Sequence, residues 1–225
     1  MADGNWLIWL ILVGLAIWGI AASVDWLRRR ALWRKIAAEL GLEFSPKDPF
    51  NTPARQKKAF FQQGQDRRAY NVMYGEHNGV RVRCFDYKYW DSAGRYDTVL
   101  YFTCLLVALP IRFCPLSVRA EGPADRLGHL LGIHDLQFES VEFNRQFAVC
   151  CTSKRFAYDV IHPRMMELML QHKHRAIEAY GWSVLIYDPG GQARTSELEG
   201  EVKRLLEYGL GFVELLPRYL QAGSR

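Results

Sequence analysis

Residues 6–24, WLIWLILVGLAIWGIAASV, run for nineteen positions without a charge, and this constrains the chain more than any other feature. At 1.5 Å rise per residue such a helix measures roughly 28 Å, the thickness of a bilayer's hydrocarbon core, so the segment is predicted to cross a membrane once. Trp6 and Trp9 at one end and Trp26 at the other stand where indole rings settle at the headgroup interface. Ala21, Ala22 and Ser23 have the small side chains of a signal-peptide cleavage site. Against cleavage, residues 1–5 hold no lysine or arginine while Arg28, Arg29 and Arg30 follow the apolar run at once, so an uncleaved anchor is expected.

The same asymmetry sets the orientation. Residues 25–41 carry Arg28, Arg29, Arg30, Arg34 and Lys35 against Asp25 and Glu39, which predicts an inner (plasma) membrane protein with its N-terminus outside and residues 27–225 in the cytoplasm. Trp6, Trp9, Trp26, Arg28, Arg29 and Arg30 are the expected membrane-interface residues, with the bilayer and anionic lipid headgroups as partners. The formal charge of +5 is concentrated here, so the rest of the chain has no footprint for nucleic acid. Five cysteines without CxxC spacing argue against a disulfide framework and a structural zinc site.

Three segments are predicted: an anchor over 1–26, a basic juxtamembrane helix over 27–41 with Leu27, Ala31, Ile36 and Leu40 among its apolar positions, and a cytoplasmic α+β domain over 42–220. Residues 41–45 are a strand candidate. Residues 69–74 and 80–89 alternate apolar and polar positions around His77, Asn78 and Gly79, a hairpin. Residues 98–109 suit a buried strand ended by Pro110, and 112–118 a separate edge strand interrupted by Pro115. A short helix is expected over 123–131 and a strand over 146–151. A helix from Ser153 should break at His162-Pro163, with a new one through Gln171. Residues 176–179 and 183–187 read as a hairpin about Gly181, and Ser196 with Glu199 as the capping box of a last helix. The predicted fold is α+β, a mainly antiparallel sheet with helices mostly on one face; two similar halves meeting near Pro123 are the alternative.

No GxSxG, HExxH, Walker, GxGxxG or kinase signature occurs, so no catalytic residue, cofactor or metal is assigned. His172 and His174 flank Lys173 without a nearby carboxylate and suit a solvated turn better than a metal site. His129, His134 and Asp135 suit an acid or base role only if a nucleophile joins them. Met165, Met166 and Met169 suit a core stripe or an adaptable partner surface. Arg55, Lys57, Lys58, Arg67 and Arg68 form either a second lipid-facing patch or a solvated face.

In the order of AAELGLEF, YNVMYGEHNGVRVRCFDYKY, LLVALPIRFCPLSVRAEG and LGIHDLQFESVEFNRQFAVCCTSKRFAYDVIHPRMMELML after a membrane helix and arginine cluster, the chain resembles a family of single-pass, membrane-anchored actinobacterial-type proteins of unknown function. The resemblance covers nearly the whole chain. It implies a bacterial inner-membrane location and one folded unit over 43–216, and brings no catalytic residue. The function expected is a membrane-tethered interaction or scaffold domain with a protein partner still to be identified. The alternatives are an enzyme at the cytoplasmic membrane face and a lipid or small-ligand sensor.

Overall fold

The structure, a computed structural model, describes residues 5–92, 97–120 and 136–222, with the side chains of 5–7, 18, 20–22 and 221–222 outside that description. Helix α1 (Asn5–Glu39) leads into strand β1 (Glu43–Lys47), a turn of helix α2 (Thr52–Arg55) and a 3-10 turn over Ala59–Gln62. Strands β2 (Gln65–His77), β3 (Val80–Asp91) and β4 (Thr98–Ala120) follow, then α3 (Val141–Gln146) and β5 (Phe147–Cys151). Helices α4 (Lys154–Val160) and α5 (Pro163–Gln171), strand β6 (Ala176–Tyr187), α6 (Leu198–Glu214) and α7 (Arg218–Ala222) complete it.

The six strands form one antiparallel sheet in the order β1-β2-β3-β4-β5, with β6 also paired to β4. The expected hairpin is β2–β3, closed by His77 opposite Val80. Its turn residues Asn78 and Gly79 both take positive φ, as a two-residue turn with the twist of its strands requires.

Two expectations fail for one reason, the length of β4. Pro110 and Pro115 neither end nor demote it, because both lie where the β4–β6 register shifts, between Ala108 and Phe113 and between Phe113 and Leu116. A proline costs the ladder nothing where the register shift leaves no bond for its missing N–H. Opposite that irregularity, Gly181 at φ +63° bends β6 without reversing it, so 176–187 is one strand and not a hairpin. Since β5 and β6 both join β4, the two halves of the chain share a single sheet.

One face of the sheet carries the longer helices. Met73, Val82, Cys84, Leu105, Val107, Ile177, Val184 and Ile186 meet Trp33 and Ile36 of α1, Met165 and Met169 of α5, and Val202, Leu205 and Phe212 of α6 in the larger core. The opposite face carries Val72, Phe85, Tyr87, Phe102, Leu106, Leu185 and Tyr187 against Phe60 and Phe61 of the 3-10 turn. Ser153 caps α4 by accepting a hydrogen bond from the Phe156 amide, and Pro163 opens α5 as expected. The predicted capping box is absent: α6 starts at Leu198 with no side-chain cap, and Glu199 pairs with Lys203 and Lys35 instead. The 123–131 helix and the His129, His134 and Asp135 group lie outside the described residues.

Helix α1 runs without a break from the apolar segment into the domain. Its buried stripe is Arg29, Trp33, Ile36 and Ala37, whereas Leu27 and Ala31 are exposed. Toward its start Ile8, Trp9, Leu10, Ile11, Leu12, Val13, Leu15 and Ile17 are all exposed. Among the described residues no helix is long and apolar enough to cross a membrane; the side chains of 6–7, 18 and 20–22, inside the apolar run, are not among them.

Candidate functional site

Strand alternation decides what the less covered face presents. Val82 and Cys84 of β3 turn to the helices, so Arg81 and Arg83, which alternate with them, turn to the other side. The chain over 48–64 covers only part of that side. Beside it lies an open groove of about 900 Å³, floored by Leu106 and Ala108. Arg55 and Lys57 from the covering segment, Arg81 and Arg83 from β3 and Arg112 from β4 line it, with Glu76 as the opposing carboxylate. Phe50, Tyr74, Tyr180 and Trp182 give it aromatic walls, and Trp182 is 55% exposed.

The Arg83 guanidinium lies 3.7 Å over the Phe50 ring, which meets the edge of Tyr74 at 4.9 Å. Burial lowers the Arg83 pKa, with Asp48 opposing and Arg81 and Arg55 reinforcing the shift, yet a guanidinium keeps its proton in any protein setting. Among the described residues none of the five cations takes part in an ion pair. Unpaired cations beside aromatic walls suit a ligand with both negative charge and apolar surface.

At the groove's edge the covering segment is pinned by buried polar groups. Lys58 Nζ donates to Gln56 Oε1 at 2.9 Å and to Ser183 Oγ at 2.6 Å. Burial brings its pKa down to about 8, with Glu178 pulling the other way. Glu178 accepts from the Phe60 amide at 2.9 Å and from Arg119 at 3.0 Å, while burial raises its own pKa.

No protein-family model matches the sequence, and no curated protein matches it. A solved structure shares the fold. The crystal structure of the mycobacterial trehalose monomycolate transport factor A, TtfA, superposes with a TM-score of 0.56 at 15% identity, over 84% of this chain and 96% of that one. At that identity the likeness extends to the fold alone.

The predicted interface residues divide. Trp9 is 66% exposed, Arg28 is exposed, and Arg30 stacks its guanidinium on exposed Trp26 at 3.8 Å. The Trp6 side chain lies outside the described residues. Arg29 does not share that surface: it is buried, giving Nε and Nη2 to the two Asp86 oxygens at 2.8 and 2.6 Å. Trp33 Nε1 and Asn71 Nδ2 also donate to Asp86, at 2.9 and 3.0 Å, and Arg29 Nη1 reaches the Ala193 carbonyl at 2.7 Å. One fully buried carboxylate thus clamps α1 onto β2 and β3, and Arg29 itself ties α1 to the loop before α6.

The second basic group also separates: Arg55 and Lys57 go to the groove, Lys58 is buried, and Arg67 and Arg68 lie elsewhere. Met165, Met166 and Met169 are core residues. His172 stacks on the Tyr208 ring at 4.4 Å, and among the described residues no group of three metal-ligating side chains gathers. Cys114 and Cys151, on paired strands, bring their Sγ atoms to 3.5 Å; the Cys151 thiol donating to Cys114 lowers the latter's pKa to about 6. Nothing in the cysteine spacing announces that pair.

Proposed function

We propose that this chain is a single-pass membrane protein whose domain, residues 27–225, lies on the cytoplasmic side and docks an acidic segment of a protein partner in the basic groove. The observation that carries this is the continuity of α1. A helix apolar on all sides at its start suits lipid, and the same helix ends in a buried clamp at Arg29, Trp33 and Asp86. Such a joint holds the domain at fixed height and orientation, as a docking platform needs and a loose tether cannot provide.

A photocrosslinking residue in place of Trp182, in native membranes, is expected to give one or few discrete adducts that vanish when Arg81 and Arg112 are both changed to Glu. An unchanged adduct pattern in that variant would remove the groove from the account. Orientation is tested separately: a periplasm-specific reporter fused after Arg225 should stay silent and a cytoplasm-specific one should work. Digestion of the domain by protease added to intact spheroplasts would reverse the topology.

A second reading rests on Ser183 and Lys58. A lysine whose pKa falls to about 8, at 2.6 Å from a serine hydroxyl on the rim of a cavity, resembles the nucleophile–base pair of serine–lysine hydrolases. Near neutral pH about a tenth of such a lysine is neutral and able to accept the hydroxyl proton. Gln56 binds both groups, which favours a structural bond. Covalent labelling of Ser183 by a fluorophosphonate, lost in Lys58→Met, would move the assignment to an enzyme.

A further inference from the structure

A second concavity, about 630 Å³, opens on the helix-bearing side of the sheet where α1 leaves the domain. Lys88 of β3 is two residues beyond Asp86 and faces the same way, so this notch continues the line of the Arg29–Asp86 clamp toward the start of α1. Trp26 and Arg30 form its wall on the helix side, while Lys47 of β1, Arg67 and Arg68 of β2, and Tyr101 of β4 complete the rim.

The charges in it are mostly unanswered. Asp48, the carboxylate of the lining, is occupied in accepting from the amides of Phe50 and Thr52 and from the Thr52 hydroxyl. Arg68 pairs with Asp66 at 2.8 Å and Arg67 donates to the Phe61 carbonyl at 2.8 Å. Arg30, Lys47 and Lys88 have no ion-pair partner among the described residues, and Arg30 Nε is buried without an acceptor. Stacking on Trp26 at 3.8 Å holds the Arg30 guanidinium in place.

Height along α1 identifies the occupant. If residues 6–24 fill the hydrocarbon core, Trp26 lies about 3 Å and Arg30 about 9 Å beyond it along the axis. The headgroup layer on each side of a bilayer is about 5–8 Å deep, so Trp26 stands within it, and the Arg30 side chain, tilted toward the start of the helix, reaches back from just above it to where lipid phosphates reside. Indole at the interface with arginine and lysine just above it matches a phosphate joined to an acyl-bearing glycerol. We propose that this notch is a specific site for the headgroup phosphate of an anionic phospholipid, held by Arg30, Lys47 and Lys88. The inference rests on the membrane insertion of α1 argued above. It adds an individually bound lipid to a general attraction between basic residues and the membrane.

The full-length chain, reconstituted in nanodiscs of phosphatidylcholine with a minor fraction of phosphatidylglycerol, is analysed by native mass spectrometry for lipid retained after transfer to detergent. Phosphatidylglycerol is expected to be retained over phosphatidylcholine, with about fivefold weaker binding in Lys88→Gln and a similar further loss in Arg30→Gln with Lys88→Gln. Arg145→Gln, exposed on α3 and lining neither cavity, should retain lipid as the unaltered chain does. Equal retention of both lipids, or a Lys88→Gln chain that behaves as the parent, overturns the proposal. Displacement of phosphatidylglycerol by millimolar inorganic phosphate also overturns it, by assigning the notch to a free anion. Carbonate extraction of the same membranes separates the two claims. A chain that resists extraction but shows no lipid preference defeats the site alone, whereas a chain released by carbonate defeats the membrane insertion on which the site depends.

Discussion

Beneath α1, Arg29 and Asp86 meet at 2.6 Å, both buried. Across the sheet, Arg81, Arg83 and Arg112 stand in a groove with no ion pair among the described residues. The helix-bearing face repeats its pattern at Arg175 and Glu201, a second buried pair, now between the start of β6 and α6. Charge taken out of water needs a partner of opposite sign close by, so a buried ion pair dictates where a helix sits more than it adds stability. Charge left at the surface has no such obligation and stays available to a ligand. The same residue type, arginine, is thus a fixture on one side and a reagent on the other, and the difference is made by what covers it.

That contrast breaks most visibly if the clamp is removed. Asp86→Ala strands a buried guanidinium and leaves Trp33 Nε1 and Asn71 Nδ2 without their acceptor. A loss of about 3–5 kcal/mol is expected in urea denaturation of the detergent-solubilised chain. A loss under 1 kcal/mol would mean that α1 is held by its apolar contacts alone. On the opposite face Phe60→Ala empties a site where Tyr87, Phe102 and Tyr187 converge with ring centroids 4.1–5.1 Å away. About 3 kcal/mol is expected there. Because a single segment forms that cover, hydrogen exchange should speed up over 56–62 before the sheet itself opens.

Lysine 58 tests whether the thinly covered face tolerates buried charge. Its pKa is lower folded than unfolded, about 8 against 10.5, so between those values the unfolded chain binds more protons. Stability should therefore rise with pH across that window, by up to about 1.4 kcal/mol per unit. Comparison with Lys58→Met, in which this slope vanishes, isolates the effect from the other titrating groups. Parallel pH profiles for the two proteins would show that water reaches the ammonium.

How far the sequence announced all this follows the range over which each feature is encoded. The β2–β3 hairpin was legible because Asn78-Gly79 and the flanking alternation are local signals. The antiparallel α+β class followed from it. The continuity of β4 through Pro110 and Pro115 was not legible, since a proline is harmless only if the partner strand shifts register there, and that partner, β6, lies some seventy residues on. Arg29 was misplaced for a related reason: its i, i+4, i+7, i+8 relation to Trp33, Ile36 and Ala37 marks the buried stripe, but a charged residue is excluded from such a stripe until its partner, Asp86, is known. The groove is assembled from residues 50–57, 74–83, 106–112 and 180–183, and only the alternation of Arg81 and Arg83 with Val82 and Cys84 hinted at a cationic face.

The smallest expected effect sharpens the comparison furthest. Arg81 and Arg112 are exposed and have no ion pair among the described residues, so changing both to Ala removes no packed apolar surface and strands no partner there. Surface substitutions of that kind move stability by no more than about 0.5 kcal/mol. If the groove is only a solvated face, the double variant differs from the parent in nothing that can be measured. If it docks an acidic segment, the double variant folds as the parent does, survives urea equally, and yet loses the Trp182 crosslink at low ionic strength, where opposite charges attract over longer distances. Raising the salt should mimic the substitution in the parent and have little effect in the variant. A stability loss above about 1 kcal/mol would instead place these arginines with Arg29, as parts of the framework, and erase the distinction between the two faces.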